Sequence, residues 1–296
     1  MTAGVQPLIN QKVRPFLFIL AAAGVISAVS TAKANAAEMT IQAASPVKPI
    51  TLDGAAADWA GIQPVSVPMV GQGNVETVNM RIAVREGMIY VLAEWEDSSQ
   101  DILYKPYQWD DAAQAYAKTR KKEDRLAISF EMAGDFSANK LDGAEFEADV
   151  WHWKARRSNP AGVAHDKWWK VSKTQFPRSA EFYGPSGVPV YLARRSDKGS
   201  KLYKPLRHVT KQADTMPGYE INMSPEGSIA DVKAKGVWKN GRWTLEMVRK
   251  LSTGHSDDAV ILENGAIKMA IAVFNGVDSE KHSVSETLVL QTGGAS

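Results

Sequence analysis

The dipeptide Asn240-Gly241, set between Val237-Trp238-Lys239 and Arg242-Trp243-Thr244, constrains this fold more than any other feature of the chain. Asn-Gly tolerates the positive φ that both central residues of a type I′ turn require, and the twist of that turn matches two paired strands. The predicted register puts Lys239 opposite Arg242 and Trp238 opposite Trp243. Facing indoles of this kind are worth up to about 1 kcal/mol relative to alanines. Along the second strand Trp243, Leu245 and Met247 share the core face, while Thr244, Glu246, Val248 and Lys250 take the other.

The rest of the chain reads in the same key: short apolar stretches separated by turn signals. The predicted strands are Val78–Val84, Met88–Trp95, Leu126–Met132, Ala148–Lys154, Val188–Ala193, Gly236–Lys239, Arg242–Leu251, Ile267–Phe274 and Val284–Leu290. Asp110 to Lys118, rich in alanine, is the best helix candidate. Long connections over 156–170 and 195–218 carry prolines, glycines and charges, and loops of that length are often functional. With no Ser/Gly linker and no repeat, the expectation is all-β: one mostly antiparallel two-layer sandwich with little helix.

The N-terminus predicts an address. Lys12 and Arg14 precede an apolar run from Phe16 to Val29, and Ala34-Asn35-Ala36 supplies a small-x-small cleavage pattern. Such a run is short for a membrane span, which needs about 20 residues. Residues 1–36 are therefore expected to be a cleaved export signal and residues 37–296 a single periplasmic domain with no membrane span. Cleavage would remove three basic residues and no acid, taking the formal charge from +2 to −1. That balance gives nucleic acid nothing to bind. Cysteine is absent, which excludes thiolate metal sites, cysteine nucleophiles and covalent haem attachment.

Asp149-Val150-Trp151-His152-Trp153-Lys154 places a histidine between two tryptophans on a predicted strand. Alternation sends Trp151 and Trp153 to one sheet face and His152 to the other, beside Val150 and Lys154. An imidazole near so much aromatic surface suits a flat metal-centred ligand such as haem. A plain sandwich core with an outward histidine accounts for the pattern too.

Further blocks extend the pattern: Ile50-Thr51-Leu52-Asp53-Gly54 with Asp58-Trp59, Ala93-Glu94-Trp95-Glu96-Asp97, Arg157-Ser158-Asn159-Pro160-Ala161-Gly162, Gly236-Val237-Trp238-Lys239-Asn240-Gly241-Arg242-Trp243, and Arg249-Lys250-Leu251-Ser252-Thr253-Gly254-His255. Together they resemble the haem-binding domain of cytochrome c-552-like proteins and of the gamma subunits of ethylbenzene dehydrogenase and dimethylsulfide dehydrogenase. The opening Asp-Gly and Asp-Trp also resemble family 9 carbohydrate-binding modules. The resemblance implies a periplasmic β-sandwich that holds one haem b and exchanges electrons with a molybdenum oxidoreductase or another cytochrome. A methionine and a lysine ligate the iron in the gamma subunits. In another branch a Cys-x-x-Cys-His motif stands shortly before the Asp-Val-Trp-His-Trp block. Here that region reads Asn139-Lys140-Leu141-Asp142-Gly143-Ala144-Glu145-Phe146, so any haem would be held non-covalently.

Four residues are candidate cofactor contacts: Met132, His152, Lys250 and His282. Methionine sulfur, neutral imidazole and a deprotonated amine all ligate iron. Three of them also have a plain reading. Met132 would pack in the core, His152 would hydrogen-bond a neighbouring loop, and Lys250 would meet solvent. The His255-Ser256-Asp257-Asp258 stretch reads as a polar turn or a loose metal site. Trp168-Trp169 reads as a docking surface or a folded-back loop. No nucleophile elbow, zincin motif or phosphate loop is present, so catalysis is not expected. The alternative to electron transfer is a haem-free binding or structural module that uses exposed tryptophans.

Overall fold

Two β-sheets face each other across a core rich in tryptophan. The computed structural model describes residues 38–46, 48–276 and 280–293. The larger sheet runs in the order Met39–Gln42, Leu288–Gln291, Ala266–Phe274, Arg125–Gly134, Phe146–Lys154, Lys167–Ser172, Pro189–Ser196, Ala180–Tyr183. The smaller is Lys233–Lys239, Arg242–Lys250, Met88–Glu96, Thr77–Arg85, Val65–Pro68. Among the described strands of these two sheets, pairing is antiparallel except between Met39–Gln42 and Leu288–Gln291; an isolated parallel bridge joins Ala44 and Ala83. Among the described residues the only helical turns are three 3-10 segments.

Asn240-Gly241 makes the hairpin that its sequence demands, with φ of 52° and 79°. Lys239 pairs with Arg242 and Trp238 with Trp243. The ring contacts differ from the expectation, because Trp243 lies against the third strand instead. It stacks on Trp95 at 6.2 Å between centroids and meets Trp153 edge-on at 4.9 Å. Trp238 donates its indole N–H to the Asp97 carbonyl at 2.9 Å. Leu245 and Met247 join Trp243 in the core between the sheets, with Trp151 and Trp153 from the opposite layer.

Three expectations are corrected. The expected connection over 156–170 gives way at its end to the strand Lys167–Ser172, which carries Trp168 and Trp169. Asp110 to Lys118 forms no helix. Tyr107–Asp110 and Ala115–Lys118 pair as a hairpin, closed by Asp110 Oδ1 accepting the N–H groups of Ala112 and Ala113 at 2.9 and 3.0 Å. The segment has no apolar stripe for a helix to bury, whereas the hairpin packs Trp109 against Tyr116 at 5.0 Å. The last predicted strand is split into Ser283–Val284 and Leu288–Gln291. Between them the Ser285 hydroxyl accepts the Ile271 N–H at 2.9 Å, in place of a ladder bond.

The outer face of the smaller sheet is covered by the chain's first turns. Glu246, wholly buried, accepts the indole N–H of Trp59 at 2.8 Å and the backbone N–H groups of Asp53 and Gly54 at 2.9 and 2.7 Å. The Asp-Gly and Asp-Trp blocks are thus held by one carboxylate from a strand nearly 200 residues later. The outer face of the larger sheet has its own apolar cluster, which includes Phe146, Val150, Val171 and Leu192. His152 lies on this face.

Candidate functional site

The strands around His152 alternate large residues inward and small ones outward. Leu126, Ile128 and Phe130 fill the inter-sheet core, as do Met269, Ile271 and Val273. Ala127, Ser129, Ala270 and Ala272 face out, and the ladder sets Ala127 beside both His152 and Ala272. Small side chains at adjacent positions leave a hollow over the sheet. A cavity of about 310 Å³ stands there, lined among others by Lys140, His152, Trp169, Arg194, Phe274 and His282. A second hollow of about 390 Å³ shares Lys140, Arg194 and His282 with it and continues toward Phe182 and Leu192. Together they make a slot with an apolar floor and aromatic walls, in which Lys140 and Arg194 are accompanied by the carboxylates Glu280 and Glu286.

Charge in the slot is controlled by burial. His152 is held well below the usual imidazole range by desolvation, reinforced by Lys154, Lys167 and Arg125. Its Nε2 is buried with no hydrogen-bond partner. Its Nδ1 lies 3.3 Å from Lys167 Nζ. Burial, with Arg157 and Arg194 nearby, brings Lys167 down to about 8. Lys140 is brought down to about 8 by burial and by Arg194; its Nζ sits 5.1 Å above the Trp169 ring. Behind the cavity the buried Lys154 contacts His165 Nδ1 at 2.5 Å, and His165 Nε2 reaches Ser196 Oγ at 2.7 Å. A neutral imidazole and a partly neutral amine in one apolar slot are donors that a transition metal takes.

The predicted site residues separate into two groups. His152 and His282 both line the cavity, and each stacks with the Phe274 ring, at 5.8 and 4.7 Å. Met132 sits where a bulge shifts the register between Glu131 and Ala133, and it packs against the inter-sheet core. Lys250 ends its strand on the smaller sheet, exposed and paired with Met88. Neither lines the cavity. Trp168 and Trp169 take opposite faces of one strand: Trp169 lines the cavity, and Trp168 donates to Glu147 at 3.2 Å. Sequence reasoning missed Lys140, Phe274 and Arg194. Lys140 had a signal, since it stands in the segment that carries the attachment motif in the related branch. The small residues at 127, 129, 270 and 272 were a second signal.

A larger cavity of about 670 Å³, lined by Ile102, Tyr104, Met216 and Trp238 among others, has no imidazole in its walls. The described residues include no helix long and apolar enough to cross a membrane. The predicted export signal lies outside the described residues.

The sequence profile of ethylbenzene dehydrogenase matches residues 56–285. The chain belongs to the ethylbenzene dehydrogenase family. Every residue lining the His152 cavity lies within the span matched to that family. No curated protein sequence matches the chain. Among solved structures, it is similar to a family 9 carbohydrate-binding module from Caldicellulosiruptor kristjanssonii in complex with glucose. That comparison gives 10% identity and a TM-score of 0.40, covering 87% of this chain and 97% of the other. The same module in complex with cellotriose gives 10% identity and a TM-score of 0.38, covering 87% and 95%.

Proposed function

We propose that this chain is an exported electron-transfer subunit that binds haem b non-covalently in the His152 slot and serves a molybdenum oxidoreductase or another periplasmic cytochrome. Membership of the ethylbenzene dehydrogenase family supports a role in a redox enzyme complex. The observation that carries the haem reading is the buried, unpartnered Nε2 of His152 in a cavity walled by Phe274 and Trp169. Desolvation keeps that ring neutral, which is the state an iron accepts. Lys140 is the second candidate ligand, because its amine is already partly deprotonated at neutral pH. Arg194 spans both hollows and would pair with an acidic substituent of the ring. Bound haem would supply reversible one-electron chemistry, while the protein fixes ligands, polarity and access.

The test is optical. Protein purified from haem-replete cells should show a Soret band that shifts on dithionite reduction, and apoprotein should take up hemin at one equivalent. His152→Ala should abolish the low-spin spectrum while the fold survives. A colourless protein that fails to take up hemin would overturn the proposal.

A further inference from the structure

At the other face of the same strand, between the two sheets, the chain buries more negative charge than it neutralises. Asp149, Asp166, Asp197 and Asp258 are each at most 6% exposed. One cation, Arg249, stands among them. It is hydrogen-bonded to Asp149 Oδ2 and lies 3.6 Å from Asp258 and 3.9 Å from Asp166. Four carboxylates against one guanidinium leave a formal excess of three negative charges in a buried site. Low-dielectric surroundings do not sustain such an excess without protons or a bound cation.

Geometry favours the cation. Asp149, Asp166 and Asp258 each present an oxygen within 4.8 Å of the other two. That spacing matches oxygens placed around one ion at the 2.3–2.6 Å typical of calcium. Asp149 Oδ1, Asp166 Oδ2 and Asp258 Oδ1 are all buried without hydrogen-bond partners. Asp197, outside that trio, is an independent sign: neither of its buried carboxylate oxygens has a partner, and it interacts electrostatically with Asp149, Asp258 and Arg249. The buried donors are all oxygens, with no thiolate or imidazole, which selects a hard cation. One member of the trio adjoins a solvent-facing side chain: His255 is exposed and contacts Asp231 at 2.8 Å and Asp258 at 3.8 Å.

We propose that Asp149, Asp166 and Asp258, with Asp197 beside them, bind one calcium ion that ties the larger sheet to the loop after Arg242–Lys250. The site is separate from the haem slot, so the two readings stand or fall independently. Arg249 also lies over the Trp151 ring at 4.9 Å, which puts an indole close enough to sensitise a lanthanide.

Full-length mature protein, stripped with EGTA, should bind calcium at one equivalent by calorimetry and melt several degrees higher when the ion is restored. Terbium should give Trp-sensitised emission that calcium quenches by displacement. Asp166→Asn should weaken calcium binding by at least about tenfold, in keeping with the loss of metal-site groups. Asp197→Asn gives the decisive contrast. It should leave the melting temperature in EGTA at or above that of the parent and shrink the calcium response. A stripped protein that neither binds calcium nor gains thermal stability from it would overturn the proposal. So would an equal response to magnesium, or an Asp197→Asn variant less stable in EGTA with its calcium response intact.

Discussion

Lys167 Nζ stands 3.3 Å from Nδ1 of His152, on the outer face of the larger sheet. Above about pH 8 Lys167 is a neutral amine that can accept the Nδ1 proton, the tautomer that leaves the Nε2 lone pair free for a metal. Partners that orient a metal-binding histidine typically account for 10–100-fold in affinity. Lys167→Met, close in volume but without the nitrogen, should therefore weaken hemin binding by about tenfold or more in a spectrophotometric titration above about pH 8, where the amine is neutral. Its melting temperature should stay near that of the parent. Unchanged hemin affinity would remove Lys167 from the site.

Glu246 serves three donors at once: Trp59 Nε1 and the N–H groups of Asp53 and Gly54. Truncation leaves all three without their acceptor. Glu246→Ala should cost about 2–4 kcal/mol, on the scale of buried hydrogen bonds left unmade. Urea denaturation followed by tryptophan fluorescence would read the loss. A shift below about 0.5 kcal/mol, the level of an ordinary surface change, would contradict it.

Gly236 lies under the Trp153 indole, where an added Cβ would meet Cζ2 at 2.4 Å. Trp153 has little room to retreat, because Trp243 stands 4.9 Å away and Trp95 6.2 Å away. Gly236→Ala should destabilise by about 1–3 kcal/mol through overpacking. The near-ultraviolet dichroism of the tryptophan cluster should change with it. A variant with parental stability and spectrum would show that the cluster is looser than its geometry implies.

Asp124 is wholly buried. It accepts the indole N–H of Trp243 at 3.0 Å and the N–H groups of Asp101 and Gly276 at 2.8 and 2.6 Å. Desolvation, and then the neighbouring Asp97, outweigh those donors and raise its pKa to about 7. Between about pH 4 and 7 the native state keeps a proton that the unfolded chain has released. This contribution is therefore complete below about pH 4 and is lost as pH rises to about 7. Asp124→Asn should flatten the fall in stability over that window, measured by urea denaturation at several pH values. An unaltered slope would assign the pH dependence to other groups, Asp97 first among them.

The sandwich was legible because its signals are local. Asn240-Gly241 sets a turn by φ alone, and the alternation around Trp151, His152 and Trp153 assigns sheet faces without tertiary information. The cavity was legible only in part. Its floor is written as large-small alternation at Leu126-Ala127-Ile128-Ser129 and Met269-Ala270-Ile271-Ala272. Its walls are not, because Lys140 arrives from a loop and Arg194 from a strand two places across the sheet from His152. Met132 shows the opposite failure. A bulge between Glu131 and Ala133 shifts the ladder there, and simple alternation does not foresee an extra residue.

Phe146–Lys154 presents two unlike chemistries back to back, indoles and Asp149 inward, imidazole and small apolar groups outward. Inserting or deleting a single residue in its middle would swap the two sets downstream, driving tryptophan into the slot and histidine into the tryptophan cluster. The strand can change length only in steps of two, so whatever occupies one side is bound by the same spacing that builds the other.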